Sequence, residues 1–272
     1  MAGPISHFRD KVVLITGASS GIGEELAWQL AQCGAKLTLA ARRTELLTQL
    51  AQRIAGLGNS ETLIAECDVT RDGDLERAVA ATVGKWGRLD VAIANAGFGV
   101  VGPLKRLSLE DYRRQFETNV FGVLRTIYAA LPEIEKTKGN LAIIASVAGY
   151  VSTPGSSPYA MSKFALRALA NAITPELQRS GVKVTLISPG FVESNIHKVD
   201  SQGKFHPEAK GGPPAWIQMS TPRAARQILR AIASGRRERI VTLHGKLFVA
   251  IERLLPWVNR AVARRVARRS GR

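Results

Sequence analysis

Tyr159 and Lys163 stand four residues apart in a segment whose apolar positions recur at helical spacing, so they share one helix face. A tyrosine in water ionises near pH 10, too high for efficient proton transfer near neutrality. A cation within about 4–6 Å favours the phenolate and lowers that value by roughly 1–3 units. Lys163 is the cation this helix supplies. Ser146 closes the apolar run Leu141–Ala145, and a hydroxyl at the carboxyl end of a strand can meet a helix-borne tyrosine there. Asn119 falls inside an apolar stripe of Phe116, Val120, Val123 and Ile127. A buried amide must be hydrogen-bonded: Asn119 is either a core residue holding a backbone carbonyl or part of the same site.

A second chemical signal lies near the start of the chain. Thr16-Gly17-Ala18-Ser19-Ser20-Gly21-Ile22-Gly23 follows the apolar run Val12–Ile15 and opens a helical pattern. Three glycines permit a tight turn, close backbone approach to a pyrophosphate, and close helix–strand packing, with the helix N-terminus facing the anion. The spacing is Gly-x3-Gly-x-Gly rather than Gly-x-Gly-x-x-Gly. About twenty residues on, an acid would accept a ribose 2′-hydroxyl and an arginine would pair with a 2′-phosphate. Here the sequence reads Ala40-Ala41-Arg42-Arg43. Guanidinium forks suit phosphate, so NADP(H) is expected over NAD(H); the bland alternative is a solvated pair opening a helix. Asp68 either accepts from an adenine amino group or caps the helix that follows.

These residues need a scaffold, and the 272-residue chain is long enough to bury a large core without staples. Strands are expected at Val12–Ile15, Leu37–Ala40, Leu63–Glu66, Val91–Ala94, Leu141–Ala145, Val184–Ile187 and Arg239–Thr242. Helices are expected at Ile22–Gln32, Glu45–Ala55, Asp72–Lys85, Ser108–Leu131, Tyr159–Gln178 and Pro222–Ala233. Gly34 suits a left-handed C-cap, and Ser108 and Thr221 suit N-caps. Strand–helix alternation predicts an α/β fold: a doubly wound parallel sheet of about seven strands with helices on both faces, in a single domain. The body spans 1–245, with a lid at about 194–214 in the unperiodic Gly/Pro-rich stretch, and 246–272 forms a basic amphipathic extension. Two cysteines, Cys33 and Cys67, are too few for a disulfide framework and lack metal-ligand spacing, so no metal is expected. No run is apolar enough for a signal peptide or a membrane span, which predicts a cytoplasmic protein.

The net charge is +16, from 38 Lys and Arg against 22 Asp and Glu. Eleven of those cations, with only Glu238 and Glu252 against them, lie in Arg236–Arg272, which therefore carries +9. A basic tail on a mildly basic body, with few aromatics, argues against nucleic acid. Leu247, Ile251, Leu254, Leu255, Val258 and Val262 recur at helical spacing there, interrupted by Pro256, which either kinks the helix or starts another. Such a segment packs on the body, joins subunits, or lies on an anionic membrane.

Taken in order, the Thr16–Gly23 turn, Asp68-Val69, Asn95-Ala96-Gly97, Asn119, Ser146, Tyr159-x3-Lys163 and Pro189-Gly190 resemble the short-chain dehydrogenase/reductase family from Lys11 to about Thr242. The resemblance implies a Rossmann-type oxidoreductase with Asn119, Ser146, Tyr159 and Lys163 as its catalytic set. Tyr159 would exchange a proton with the substrate oxygen, Ser146 would hydrogen-bond that oxygen, and Lys163 would hold the nicotinamide ribose and lower the Tyr159 pKa. Asn119 would hold a water of a proton relay. Gly17, Ser19, Ser20, Gly21, Ile22, Gly23, Arg42, Arg43, Asp68, Val69, Asn95, Ala96, Gly97, Pro189, Gly190, Val192 and Ser194 would contact the cofactor, together with Tyr159 and Lys163. Ala94 and Ser194 depart from frequent family residues, and the chain runs about thirty residues past the usual end.

The expected activity interconverts a ketone or aldehyde with an alcohol. Phe98, Leu104, Tyr150, Val151, Phe191, Trp216 and Met219 lie in segments near the expected substrate mouth and point to an apolar, steroid-like or fatty compound. A 3-oxoacyl thioester reductase is the alternative enzyme. A non-catalytic Rossmann protein that binds membrane through its tail is the alternative from another class. Family members assemble through helices corresponding to Ser108–Leu131 and Tyr159–Gln178, so a homo-dimer or homo-tetramer is implied.

Overall fold

The computed structural model describes residues 6–193 and 213–270. Ser194 and nearly all of the expected lid lie outside them. Seven strands form one sheet: β1 (Val12–Thr16), β2 (Lys36–Ala41), β3 (Thr62–Glu66), β4 (Val91–Ala94), β5 (Asn140–Ile144), β6 (Lys183–Ser188) and β7 (Glu238–Ile240). Their order is β3-β2-β1-β4-β5-β6-β7 with every pairing parallel. The chain is a single Rossmann-like domain. Between β1 and β4 the strand order reverses, which opens a crevice at the strands' carboxyl ends.

Alternation along each strand divides the core in two. Val13 and Ile15 of β1, with Leu37 and Leu39 of β2, pack against α1 (Gly21–Gln32), α2 (Thr44–Ala55) and α7 (Thr221–Ala233). Val12 and Leu14, with Leu141, Ile143, Val184 and Leu186, face α3 (Asp74–Trp86), α5 (Gly122–Thr137) and α6 (Ser157–Gln178). With both faces covered, the strands read as continuous apolar runs.

Several expected boundaries shift for local reasons. Gly73 takes φ +85°, so α3 begins at Asp74 rather than Asp72. Gly34 takes φ +79° directly after the Cys33 cap, as expected for a C-terminal turn. Ser220, not Thr221, is the N-cap of α7, and the Thr221 hydroxyl instead bonds the Glu193 carbonyl. Ser108 caps α4 (Leu109–Phe116) with a reciprocal box: Asp111 N donates to Ser108 Oγ at 3.2 Å, and Ser108 N to Asp111 Oδ2 at 2.8 Å.

The expected helix Ser108–Leu131 is not continuous. After α4 the backbone widens into a π-turn at Glu117–Phe121 before α5 resumes. A π-bulge inserts one residue into the ladder and redirects the side chains within it. Asn119 is in that turn.

The tail forms two helices, α8 (Leu243–Leu254) and α9 (Pro256–Ser270), and Pro256 starts the second. α8 docks through Val249 against Val147 and Tyr150, and Thr242 caps it by accepting from Gly245 N at 3.1 Å. Among the described residues no helix is long and apolar enough to cross a membrane.

Candidate active site

At the β1–α1 turn, Gly17 (φ +67°) and Gly21 (φ +59°) adopt conformations that favour glycine. Gly23 is required by packing, because a Cβ there would lie 2.3 Å from Gly17 O and 2.5 Å from Asn95 Nδ2. Asn95 in turn ties the end of β4 to this turn. Its Nδ2 donates to Thr16 O at 2.9 Å, and its backbone N–H donates to Thr16 Oγ1 at 3.0 Å, beside Ala96 N at 3.1 Å. Ser20 precedes α1 without capping it through its side chain, so the leading amides of α1, at Ile22 and Gly23, receive no serine acceptor.

The two arginines after β2 part company. Arg43 folds over the glycine turn, with Nη2 donating to Ser19 Oγ at 3.0 Å and Ser20 Oγ at 2.8 Å. Arg42 is exposed and faces Asp68 Oδ2 at 3.9 Å. Asp68 braces the β3–α3 turn by accepting from Thr70 N at 3.0 Å and Thr70 Oγ1 at 2.8 Å. Asp74 is the buried carboxylate of this corner and accepts from Asp68 N at 2.9 Å. Val69 is buried, and Gly122 must be small because a Cβ there would lie 2.7 Å from Val69 Cγ2.

Asn119 is 0% exposed and fully engaged. Its Oδ1 accepts from Phe98 N at 3.1 Å, and its Nδ2 donates to Phe98 O at 3.0 Å and to Ser162 Oγ at 3.1 Å. Ser162 passes the contact on by donating to Tyr159 O at 2.7 Å. Gln115, one turn before Asn119, also holds this segment: Val100 N donates to its Oε1 at 2.6 Å, and its Nε2 donates to Phe98 O at 2.9 Å. Gly97 is small because a Cβ there would lie 3.0 Å from Asn119 Oδ1. Gln115 and Ser162 carried no spacing signal in the sequence; only their burial in a shared network marks them.

α6 presents Tyr159 and Lys163 to the end of β5. Lys163 is 5% exposed; its Nζ donates to Ile144 O at 3.0 Å and lies 5.7 Å from the Tyr159 ring centroid. Burial lowers the Lys163 pKa to about 8. Burial raises the Tyr159 pKa, and the neighbouring Ser146 hydroxyl acts in the opposite direction. Burial outweighs the neighbouring groups in setting the Tyr159 pKa in this geometry. Ser146 Oγ accepts from Ala148 N at 3.1 Å and donates to Pro189 O at 3.4 Å, so its hydroxyl is oriented from both sides.

The wall beyond β6 runs Pro189-Gly190-Phe191-Val192. Val147 N donates to Pro189 O at 2.8 Å, and Val192 is buried where it bridges Met219. Tyr150 does not line the mouth. It is buried, its hydroxyl bonds Glu238 and accepts from Ser188, and its pKa is pushed up to about 12, chiefly by burial. Trp216, by contrast, is 85% exposed, and Leu104 and Phe191 also reach solvent.

The residues fit a nicotinamide dinucleotide on two structural grounds. The glycine turn leaves no room for a Cβ at Gly23 and leaves the first amides of α1 without a serine acceptor. Lys163 is buried with one hydrogen bond among the described residues, although an ammonium carries three donors.

The sequence matches the family model described as short chain dehydrogenase over residues 11–204. The 11-beta-hydroxysteroid dehydrogenase-like 4A of Arabidopsis thaliana is 34% identical over 253 residues, which cover 92% of this chain and 80% of that one. An alcohol dehydrogenase from the archaeon Thermococcus sibiricus, solved with 5-hydroxy-NADP, superposes with TM-score 0.74 at 28% identity, covering 85% of this chain and 96% of its own. A short chain dehydrogenase/reductase from Burkholderia phymatum, solved with NAD, superposes with TM-score 0.80 at 24% identity, covering 91% and 94%, and supports the fold alone.

Proposed function

This chain belongs to the short-chain dehydrogenase/reductase family, oxidoreductases that work on CH–OH and C=O groups with a nicotinamide cofactor, and from that premise we propose an NADP(H)-dependent enzyme that interconverts a ketone or aldehyde with an alcohol. The observation that carries the reading is the convergence of Ser146, Tyr159 and Lys163 at the carboxyl end of β5, in the crevice beside the glycine turn.

Bound at this crevice, the cofactor supplies or accepts hydride. The chain's own residues do the rest. The Thr16–Gly23 turn and the N-terminus of α1 hold the pyrophosphate, and Asn95 keeps that turn against β4. Arg43, already bridging Ser19 and Ser20, and Arg42 hold a 2′-phosphate, which is the support for NADP(H) over NAD(H). Lys163, buried with one hydrogen bond among the described residues, would donate its remaining N–H groups to the ribose hydroxyls. Tyr159 gives its hydroxyl proton to the substrate oxygen in reduction and takes it back in oxidation, while Ser146 turns its one hydroxyl proton from Pro189 O to that oxygen as charge develops. Asn119 holds the 98–100 segment and, through Ser162, the Tyr159 turn of α6.

An apolar substrate, steroid-like or fatty, suits the exposed Leu104, Phe191 and Trp216. A panel of steroid, fatty and 3-oxoacyl carbonyl compounds, with absorbance of NADPH and NADH followed in parallel, tests substrate class and cofactor together. Oxidation of NADH in preference to NADPH across the panel overturns the cofactor assignment. Oxidation of neither overturns the activity.

The division into a 1–245 catalytic body and a 246–272 basic extension is part of the same proposal. On α8 and α9, Leu243, Leu247, Leu254, Trp257 and Val262 are exposed together with Arg253, Arg264 and Arg265. An apolar ridge flanked by cations suits the surface of an anionic bilayer, to which each basic residue contributes roughly 1 kcal/mol. We place the enzyme in the cytoplasm with peripheral membrane contact through this tail. Phe121, Tyr128, Met161 and Phe164 are exposed along α5, α6 and the π-turn, and support assembly as a homo-dimer or homo-tetramer.

A further inference from the structure

His244 stands on the first turn of α8, outside the residues matched by the family model. Its Nε2 accepts from the Phe191 backbone N–H at 2.9 Å and lies 3.1 Å from Thr242 Oγ1. The imidazole stacks on the Phe191 ring, with centroids 5.3 Å apart and planes at 19°, and Phe248 packs from the next turn of α8 at 6.0 Å. Gly190 makes this approach possible: a Cβ there would lie 2.2 Å from Thr242 Oγ1 and 2.5 Å from His244 Nε2.

We propose that His244 is a positioning residue that fixes the Pro189–Val192 wall of the cofactor crevice and so makes the C-terminal helix α8 part of the working site. The proposal rests on the reading of Pro189–Val192 as a cofactor-facing wall. That wall is held at two ends. On the catalytic side, Pro189 O accepts from Val147 N at 2.8 Å and from the Ser146 hydroxyl at 3.4 Å. On the other side, the Phe191 amide has His244 as its acceptor, a contact between residues 53 apart in sequence. A displaced His244 loosens the Phe191 end of the segment that also carries the Pro189 carbonyl, one of the partners orienting Ser146, although Met219 N still donates to Phe191 O at 2.9 Å.

The contact demands one form of the imidazole. Nε2 can accept from Phe191 N only when it carries no proton, so the ring is neutral with its hydrogen on Nδ1. Protonation sets an N–H against an N–H and breaks the bond. Among the described residues, the groups facing the ring are the Phe191 ring and amide from the β6 extension, the hydroxyl of the N-cap Thr242, and Phe248 on α8, and none of these is charged. Burial holds the His244 pKa below its ordinary value, which preserves the accepting form at neutral pH.

Two substitutions separate positioning from bulk packing. His244→Phe keeps an aromatic stack on Phe191 and removes the acceptor, whereas His244→Gln keeps an amide oxygen that does not titrate. In the full-length protein, 15N spectra are expected to show His244 protonated on Nδ1 at pH 7.5. Hydrogen exchange at the Phe191 amide is expected to be roughly 2–10-fold faster in His244→Phe than in wild type, as for the loss of one hydrogen bond. NADPH affinity, read by fluorescence titration, is expected to fall by a similar factor in His244→Phe and to recover in His244→Gln. In wild type, but not in His244→Gln, affinity is expected to weaken as pH falls below the ordinary imidazole range, because burial holds the His244 pKa down. Unchanged Phe191 exchange in His244→Phe overturns the contact. Faster exchange with unaltered NADPH affinity overturns the positioning role while sparing the oxidoreductase assignment, which the carbonyl panel tests separately.

Discussion

Lys163 holds its ammonium 5.7 Å from the centroid of the Tyr159 ring, one helical turn away, with the Ile144 carbonyl 3.0 Å from Nζ on its other side. The lysine therefore sits between the tyrosine and the end of β5, with the Ile144 carbonyl as its one hydrogen-bond acceptor among the described residues. Removing the Tyr159 hydroxyl alone leaves this arrangement in place. Tyr159→Phe is expected to lower turnover by about 10²–10⁴-fold, the range of general acid–base catalysis, with NADPH affinity unchanged in fluorescence titration. Turnover within a few-fold of wild type excludes Tyr159 as the proton donor.

The same lysine couples function to stability. Its pKa falls from 10.5 in the unfolded chain to about 8 in the fold, so below pH 8 both states are charged and the fold carries the full cost of burying the ammonium. Between about pH 8 and 10.5 the unfolded state binds the extra proton, and stability contributed by this group rises with pH. Cys67, raised to about 12 by burial, acts in the opposite direction above pH 9, which confines a clear reading to pH 7–9. Urea unfolding of Lys163→Met and wild type is expected to show the variant's relative stability declining by roughly 1 kcal/mol from pH 7 to pH 9, because the wild type gains what the variant cannot. A difference that is flat across this range shows that Lys163 is not held near pKa 8.

Cofactor choice should follow the residues after β2. Replacing Ala41 by Asp and both Arg42 and Arg43 by Ala removes the guanidinium bridge to Ser19 and Ser20 and adds a carboxylate that repels a 2′-phosphate. Charge-assisted bonds contribute about 1.5–3 kcal/mol each, so the ratio of kcat/KM for NADPH over NADH is expected to fall by roughly tenfold or more. An unchanged ratio places the 2′-phosphate elsewhere.

Asn119 is a structural position, whatever part it takes in the proposed chemistry. Asn119→Leu leaves the Phe98 N–H and C=O without the amide that brackets them, and Gln115 still serves only the carbonyl. Stranded buried groups cost about 1–3 kcal/mol, so chemical denaturation should report a loss in that range together with reduced turnover. Full stability with lost turnover would assign Asn119 to chemistry alone.

For the tail, co-sedimentation with anionic vesicles at low salt is expected, with release by high salt and no binding to neutral lipid. Deleting Val262–Arg272 should weaken it. Binding that ignores lipid charge, or survives the deletion unaltered, leaves α9 with no membrane role.

Much of this protein can be read along the chain because the signals are local. Apolar runs bounded by turn residues mark all seven strands to within two residues, and the glycine turn, Ser146, Tyr159 and Lys163, taken in order with the other motifs, carry the family resemblance. Gly34 is legible because a left-handed φ strongly favours glycine. What escaped depends on groups brought together across the sheet. The π-turn at Glu117–Phe121 reflects no propensity of its five residues; it places Asn119 against the backbone of Phe98, on a segment that follows another strand. Tyr150 reads as a mouth residue until β7 supplies Glu238 as a partner. Arg42 and Arg43 are identical in type, and only the fold sends one over the glycine turn and the other toward Asp68. His244 carries no periodic or motif signal, because its meaning is a single hydrogen bond to an amide 53 residues away. Local periodicity determines elements, since it is set by backbone geometry. Which polar group meets which is decided by packing, since each buried donor takes whatever acceptor the folded chain brings within reach.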